Sequence, residues 1–167
     1  TAVSLSSSYV RSAFQIQNKA EYRMDKGDDV DEVQYVLLNS ASYKVTESLR
    51  LLAKADYTIS KDKITNRTIN EYAEAGIGAA YRPIHHNRLN LLGRYSYILN
   101  KENDSDRVTS YLEESKHILE AEGNYKLTKR LTVGMKTAVK FEDDYYKTSD
   151  GRNVKVEKNF ALLGFRQ

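Results

Sequence analysis

Apolar and polar residues alternate one by one along much of this chain, and this period of two constrains its fold most strongly. Between residues 49 and 59 the odd positions carry Leu49, Leu51, Ala53, Ala55, Tyr57 and Ile59. The even positions between them include Arg50, Lys54 and Asp56. Successive side chains of a β-strand point to opposite faces of its sheet, so each set occupies one face. The pattern therefore predicts strands with one apolar and one polar face.

The same alternation recurs over nearly the whole chain and predicts about nine strands in a single domain of residues 1–167. The predicted strands cover residues 2–9, 13–24, 32–44, 49–60, 70–82, 88–100, 116–127, 131–142 and 154–166. Most of them span about 11 to 13 residues, whereas strands of soluble proteins usually have about five or six. A tilted strand that crosses a bilayer needs about 9–11 residues. Strand length therefore favours an all-β, antiparallel transmembrane β-barrel of about 8–10 strands.

The segment VTSYLEESKHILEAE, residues 108–122, is the least clear part of this pattern. Its composition also suits a helix, and a short helix over residues 110–115 stays open as an alternative. Beyond it, Leu119 and Ala121 alternate with Glu120, which favours a strand.

The predicted connections are alternately short and long. The short ones fall at residues 10–12, 45–48, 83–87 and 128–130. The long polar ones fall at residues 25–31, 61–69, 101–115 and 142–153. Since consecutive hairpins point in opposite directions, an up-and-down sheet gathers the short turns at one end and the long loops at the other. Barrels of the bacterial outer membrane have this asymmetry, with short periplasmic turns and long extracellular loops.

Long charged side chains of both signs occupy the polar face of the predicted strands. The sequence predicts that the barrel interior is lined by Lys19, Glu21, Arg23, Lys54, Asp56, Arg94, Glu120, Glu122, Lys136 and Lys140. The opposite face is poor in Phe and Ile and rich in Ala, Gly, Leu and Tyr, which makes a thin core for a soluble protein. We therefore expect the apolar face to meet lipid and the charged face to surround a water-filled or ion-paired interior.

Tyrosine is unusually frequent, with 13 residues against 4 Phe and no Trp. Aromatic rings recur on the apolar face near both ends of the predicted strands. The predicted girdle consists of Tyr22, Tyr43, Tyr57, Tyr81, Tyr97, Tyr125 and Phe141. Amphipathic rings at two levels are typical of a barrel whose ends lie at the two headgroup layers of a bilayer. The alternative for each ring is cross-strand packing in an ordinary sheet.

The composition disfavours several functional classes. Cysteine is absent, so the chain has neither a disulfide framework nor a thiolate nucleophile or metal ligand. The net charge is only +3, and the 26 basic and 23 acidic residues are interspersed without a basic cluster. We therefore expect no nucleic-acid partner.

No arrangement in the sequence indicates catalysis. His85 and His86 lie in a predicted short turn, where adjacent side chains diverge and no third ligand is evident. Ser115 lies close to His117 in the sequence, but a catalytic triad is defined by geometry rather than by spacing. The acidic stretch DKGDDVDE lacks the Gly and Glu spacing of a calcium loop, although weak binding of divalent ions near lipopolysaccharide stays open. The sequence therefore predicts a protein that is not an enzyme and needs no metal and no cofactor.

Three segments carry a resemblance to a known group of proteins. They read EYRMD, AYRPIHHNRLNLLGRYSYIL and SKHILEAEGNYKLTKRLTVGMKTAVKF. From about Ser12 to Phe165 the chain resembles the C-terminal β-barrel region of large outer-membrane proteins of Gram-negative bacteria, and the second segment is the most specific part. The resemblance implies a membrane barrel that follows upstream domains. It implies no catalytic residue.

These observations predict a non-enzymatic barrel of the bacterial outer membrane that acts as a membrane anchor or a narrow, porin-like pore. Its expected partners are outer-membrane lipid and lipopolysaccharide, together with remaining strands or upstream domains of a parent chain. The alternative is a soluble lipocalin-like barrel that binds a small apolar ligand.

The predicted strand number raises a separate question, because complete bacterial barrels normally have an even number of strands. Either an earlier strand belongs to preceding sequence, or residues 2–9 do not form a spanning strand and eight remain. We therefore expect the chain to be a fragment of a longer protein.

Overall fold

The computed structural model describes residues 1–26, 31–85, 88–103, 111–128, 130–147 and 152–166. These residues form one sheet of nine strands. The strands are β1 (Ala2–Arg11), β2 (Phe14–Lys26), β3 (Asp31–Lys44), β4 (Leu49–Asp62), β5 (Thr68–Tyr81), β6 (Leu89–Glu102), β7 (Tyr111–Lys126), β8 (Thr132–Lys147) and β9 (Asn153–Arg166). The predicted all-β class is confirmed.

Every strand pairs antiparallel with its neighbours in the sequence, so the predicted up-and-down order is confirmed. Strand β1 pairs with β2, and β9 pairs with β8. In the described parts of these two strands β1 and β9 do not pair with each other, so the sheet is open. This architecture is compatible with a β-barrel, but the structure does not contain the closure that the sequence predicts.

The described residues contain no helix that is long and apolar enough to span a membrane. The alternative of a short helix over residues 110–115 is wrong where it is described, because residues 111–115 belong to β7. Ser110 lies outside the described residues.

The strands reach farther at the long-loop end than the sequence predicts. Strand β7 begins at Tyr111 instead of residue 116, and β8 continues to Lys147 instead of residue 142. Their extensions pair with each other, and Glu113 also lies 3.8 Å from Lys101 of β6. Cross-strand partners therefore extend polar segments that look like loops in the sequence. Residues 27–30, 86–87, 104–110, 129, 148–151 and 167 lie outside the described residues, so the connections predicted there are not described in full.

Two of the short turns are fixed by the same side-chain contact. The Thr46 hydroxyl accepts hydrogen bonds from the backbone N–H groups of Ser48 and Leu49, at 3.2 and 3.0 Å. The Thr128 hydroxyl accepts hydrogen bonds from the backbone N–H groups of Arg130 and Leu131, at 3.2 and 3.0 Å. A threonine that bonds to the backbone in this way stabilises a tight reversal of the chain.

The register divides the sheet into two faces. Arg23 lies opposite Gln34, and Gln34 lies opposite Ser60, so the three side chains share one face. This face, called the polar face below, holds the even-numbered residues of every strand except β2, which contributes its odd-numbered residues. The remaining side chains form the apolar face.

The polar face is the concave one. Its short-turn end carries a cleft of about 500 Å³ whose lining runs from Lys44 of β3 to Glu122 of β7. Ser60 and Ser96, farther along this face, are 4% and 6% exposed. On the apolar face Ile77 is 66% exposed. The sheet therefore curves around its polar side chains.

Candidate functional site

All ten residues predicted to line an interior lie on the polar face. They do not form one continuous network. The structure separates them into groups along the concave surface, and it adds charged residues that the sequence did not single out.

The first group lies on β2. Glu21 Oε2 lies 2.7 Å from Lys19 Nζ, and Glu21 Oε1 accepts a hydrogen bond from Arg23 Nε at 2.5 Å. The three residues occupy alternate positions along the strand. The side chain of Glu21 is 9% exposed, whereas those of its two partners are 41% and 52% exposed. The acid is therefore covered by the bases on either side of it.

The second group crosses from β4 to β5. Lys54 Nζ lies 2.9 Å from Asp56 and 2.8 Å from Glu74, so one ammonium bridges two carboxylates. The Tyr72 hydroxyl also donates to Glu74, at 2.8 Å. Glu74 and Tyr72 are not among the ten predicted interior residues, although both occupy even-numbered positions of their strand.

The third group joins β6 to β7. Arg94 Nε and Nη2 both donate to Glu120 Oε2, at 3.0 and 2.6 Å. Glycines lie beside these long side chains, because Gly76 is opposite Lys54 and Gly78 is opposite Arg94. A Cβ atom on Gly78 would lie 2.9 Å from the carbonyl oxygen of Gly93, so β5 and β6 approach each other closely here. Residues without side chains at these positions leave room on the polar face for Lys54 and Arg94.

The most buried group lies at the long-loop end of β8. Asp144 is fully buried, and its Oδ2 accepts from Lys158 at 2.5 Å and from the Tyr146 hydroxyl at 3.2 Å. Glu142 is 7% exposed and pairs with Lys140 and Lys158. Of these residues only Lys140 was predicted, because the pairing of β8 with β9 is what brings the others together.

Three acids at this end of the sheet lie close enough together to be compared with a metal site. Oxygen atoms of Glu114, Glu142 and Asp144 lie within 4.8 Å of one another. Each of the three carboxylates already has a lysine ammonium as its counter-ion, since Glu114 lies 2.6 Å from Lys116. The three positive charges balance the three negative ones, so the arrangement is that of a neutral ion cluster rather than a cation site.

The last predicted pair is less closely joined. Glu122 and Lys136 lie opposite each other in the register of β7 and β8. Glu122 accepts a hydrogen bond from Asn124 at 3.2 Å. These two charges lie beside the cleft at the short-turn end.

The seven predicted girdle rings all lie on the apolar face. Tyr43, Tyr81 and Tyr125 lie within one residue of the short-turn ends of β3, β5 and β7. Tyr22, Tyr57, Tyr97 and Phe141 lie inside their strands, four to six residues before the long-loop ends of β2, β4, β6 and β8. This second level therefore lies farther from the long-loop ends than the predicted strand bounds place it, because the strands continue beyond the rings.

The apolar face changes character above the second level of rings. In β5 the apolar run ends at Ala73, and the next residue on this face is Glu71, which accepts from the Tyr57 hydroxyl at 3.0 Å. In β8 Phe141 is followed on this face by Asp143, 3.4 Å from Lys155. The extensions of the strands therefore carry ion pairs on both faces.

The structure places His117 on the apolar face, beside two tyrosine rings. Its Nδ1 lies 2.7 Å from the Tyr95 hydroxyl oxygen, and its ring lies 4.9 Å from that of Tyr97. Ser115 shares this face two positions away. His85 lies in the turn after β5, and His86 is outside the described residues.

Comparison of the chain with protein-family models, with curated protein sequences and with solved structures gave no match.

Proposed function

We propose that this chain is a non-enzymatic anchor in the outer membrane of a Gram-negative bacterium, with its strands crossing the bilayer. The main support is the distribution of its side chains, which is the reverse of that in a soluble protein: large apolar residues are exposed and charged residues are buried. Ile77, Leu119 and Phe141 are 66%, 58% and 52% exposed on the convex face, whereas Glu142 and Asp144 are buried on the concave one. Lipid is the solvent that suits such a convex face.

The height of the apolar face supports this proposal. Between its two levels of rings it runs from Ala73 to Tyr81 in β5, from His117 to Tyr125 in β7 and from Val133 to Phe141 in β8. Each run has about nine residues, and a tilted strand needs about 9–11 to cross the hydrocarbon layer. At the long-loop end, the next residue on this face is Glu71 in β5 and Asp143 in β8.

The two ends of the sheet support an outer-membrane location and an orientation. Tight turns join the strands at one end, and the strands extend past the rings at the other. Outer-membrane barrels place short turns in the periplasm and long loops outside the cell. The proposed partners are therefore bilayer lipid and, at the long-loop end, lipopolysaccharide.

The ion pairs on the concave face favour an anchor over an open pore. Lys54–Glu74 and Arg94–Glu120 connect neighbouring strands, and Glu74 is only 15% exposed as a side chain. A barrel of roughly eight to ten strands has an interior that side chains nearly fill. Paired charges in such an interior leave little room for a continuous water path.

A soluble barrel that binds an apolar ligand is the alternative, and it needs the opposite arrangement. In such a barrel the concave face carries the apolar lining and the convex face carries the charges. The ion pairs around Lys54 and Arg94 occupy the concave face here. This difference is the reason to prefer the membrane anchor.

Spin labelling tests the proposal with neighbouring residues as matched controls. The chain has no cysteine, so single cysteine variants carry one label each. Labels at Leu51, Leu91 and Leu119 on the apolar face are expected to relax with oxygen, which concentrates in lipid. Labels at the adjacent Leu52, Leu92 and Ile118 are expected to respond to aqueous nickel complexes. Equal aqueous access on both faces of protein reconstituted with vesicles would overturn the proposal.

A further inference from the structure

The two ends of the sheet differ in charge, and the short-turn end is strongly basic. The segments that hold the short turns and the strand ends beside them are residues 10–14, 44–50, 82–88 and 126–131. They contain eight Lys or Arg residues and one Asp or Glu. The corresponding segments at the long-loop end are residues 26–31, 62–68, 102–111 and 147–153. They contain six Lys or Arg residues and eight Asp or Glu, so the short-turn end is the one whose potential attracts anions.

Three of the cations at the short-turn end line one cleft. Lys44, Arg50 and Arg82 are exposed and lie on the wall of the cleft of about 500 Å³ on the concave face. Lys44 lies directly opposite Arg50 in the register of β3 and β4. Like charges in directly opposed positions destabilise a sheet. An anion bound beside both of them therefore stabilises this end of the sheet.

The described residues supply no counter-ion for this pair. Glu47 and Glu122 also line the cleft, but among the described residues neither forms an ion pair with Lys44 or Arg50. By contrast, Arg94, farther along the same face, lies 2.6 Å from a glutamate. The two cations of the cleft therefore stay available to an anion from another molecule.

The rest of the cleft offers groups that suit a peptide. Asn90 and Asn124 lie opposite each other in the register of β6 and β7, and their amides donate and accept hydrogen bonds. Ala80 and Leu92 add apolar lining. The lining extends from β3 to β7, and four strand spacings correspond to about 19 Å. A peptide of about six extended residues has this length.

We propose that this cleft binds an acidic peptide segment of another protein, with carboxylates against Lys44, Arg50 and Arg82. Its volume of about 500 Å³ is that of an ordinary binding site. The inference rests on the proposed function for its surroundings. In that orientation the short turns face the periplasm and the bilayer covers the convex face, so a soluble segment reaches the cleft more directly than a lipid headgroup does.

Peptide binding to the full chain tests this proposal. The protein is placed in nanodiscs of phosphatidylcholine, and the fluorescence anisotropy of a labelled hexaglutamate peptide is measured at low salt. We expect saturable binding, and no binding of hexaglutamine. Lys44→Gln/Arg50→Gln should weaken the binding of hexaglutamate at least about tenfold, because two ion pairs to the peptide are lost. Binding that is absent, or unchanged in this variant, would overturn the proposal.

Arg88→Gln/Lys126→Gln is the matched control. It removes the same charge from the same end of the sheet, but neither residue is among those that line the cleft. We expect this variant to bind hexaglutamate within about twofold of the original chain, because salt screens charges that do not contact the peptide. The labelling pattern of the two faces shows whether both variants keep the fold. Equal weakening in the two variants would contradict a specific site and indicate a response to overall charge.

A lipid headgroup is the competing occupant. It would appear as a preference of the protein for phosphatidylglycerol over phosphatidylcholine that Lys44→Gln/Arg50→Gln abolishes. That result without saturable binding of hexaglutamate would overturn the peptide site.

The outcomes also separate this inference from the proposed function. If the apolar face meets lipid but hexaglutamate does not bind, only the peptide site is wrong. If both faces meet water, the membrane anchor is wrong, and the comparison of the two double variants still decides whether the cleft binds the peptide.

Discussion

The two faces of the sheet reverse the distribution expected in water. On the concave face the carboxylates of Glu21, Glu142 and Asp144 are covered by lysine and arginine side chains. On the convex face large apolar residues such as Ile77 and Leu119 stand exposed. A soluble sheet buries its apolar face. In this sheet the curvature covers the charged side chains instead and leaves the apolar side chains exposed.

The faces also differ in what stabilises them. The concave face is held by direct contacts within the chain, including Lys54 with Glu74 and Lys158 with Asp144. The convex face has few contacts of this kind between its two levels of rings, so its stability depends on the surrounding solvent. Substitutions that exchange the two environments therefore test the comparison.

The largest effect is expected for a charge placed on the convex face. Ile77 lies halfway between Ala73 and Tyr81, near the middle of the proposed hydrophobic band. Ile77→Arg should lower the free energy of unfolding in bilayers by about 2–4 kcal/mol. Leu92→Arg on the concave face lies opposite Glu122 and should cost much less. Denaturant titration in vesicles measures the free energy of unfolding of both variants. Equal losses of stability would contradict the difference between the convex and concave faces.

The next effect is expected where a base covers a buried acid. Lys158→Met leaves Asp144 without its ammonium partner and should destabilise the protein by about 2 kcal/mol. The double variant Lys158→Met/Asp144→Asn should recover most of this loss. Lys155→Met is the control, because Lys155 pairs with exposed acids on the other face. A Lys155 variant as unstable as the Lys158 variant would show that burial does not distinguish the two pairs.

A smaller effect is expected from adding one methyl group to each face. Gly78→Ala places a Cβ atom 2.9 Å from the Gly93 carbonyl oxygen and should cost about 1 kcal/mol. Gly93→Ala meets no heavy atom within 4 Å and should be close to neutral. The same titrations compare the two variants. A neutral Gly78→Ala would mean that the concave wall is less crowded than the structure indicates.

The smallest effect is expected at the upper level of rings. Tyr57→Phe keeps the ring but removes its hydrogen bond to Glu71, which should cost about 0.5 kcal/mol. Tyr57→Ala should cost clearly more if the ring itself anchors the band. If the two variants lower the free energy of unfolding equally, the stabilising contribution of Tyr57 comes from its hydroxyl group and not from its ring.

The alternation of residue types was sufficient to predict the strands and their two faces. Leu51 and Leu119 lie on the apolar face and Lys54 and Arg94 on the polar face, as predicted. The reason is that side-chain direction in a strand depends only on sequence parity. Strand ends depend on partners instead, which is why the start of β7 at Tyr111 was missed.

The most buried charges were missed for a related reason. Glu142, Asp144 and Lys158 come from two different strands, and only the register of β8 and β9 brings them together. In the sequence the two acids look like the beginning of a polar loop. The continued alternation of Glu142, Asp144 and Tyr146 was the one signal that could have extended the strand and placed them on its polar face.

The length of the strands beyond the upper level of rings determines how far the sheet rises above the proposed hydrocarbon band. From Phe141 to Lys147 strand β8 continues for six residues, which corresponds to about 20 Å along the strand. With a tilt of about 40° the rise above the hydrocarbon is about 15 Å. The polar headgroup layer on one side of a bilayer is only about 5–8 Å thick. If the sheet spans the membrane as proposed, the end of β8 at Lys147 lies clear of the lipid headgroups. Peptide epitopes inserted there would then be displayed to antibodies at a fixed distance from the cell surface.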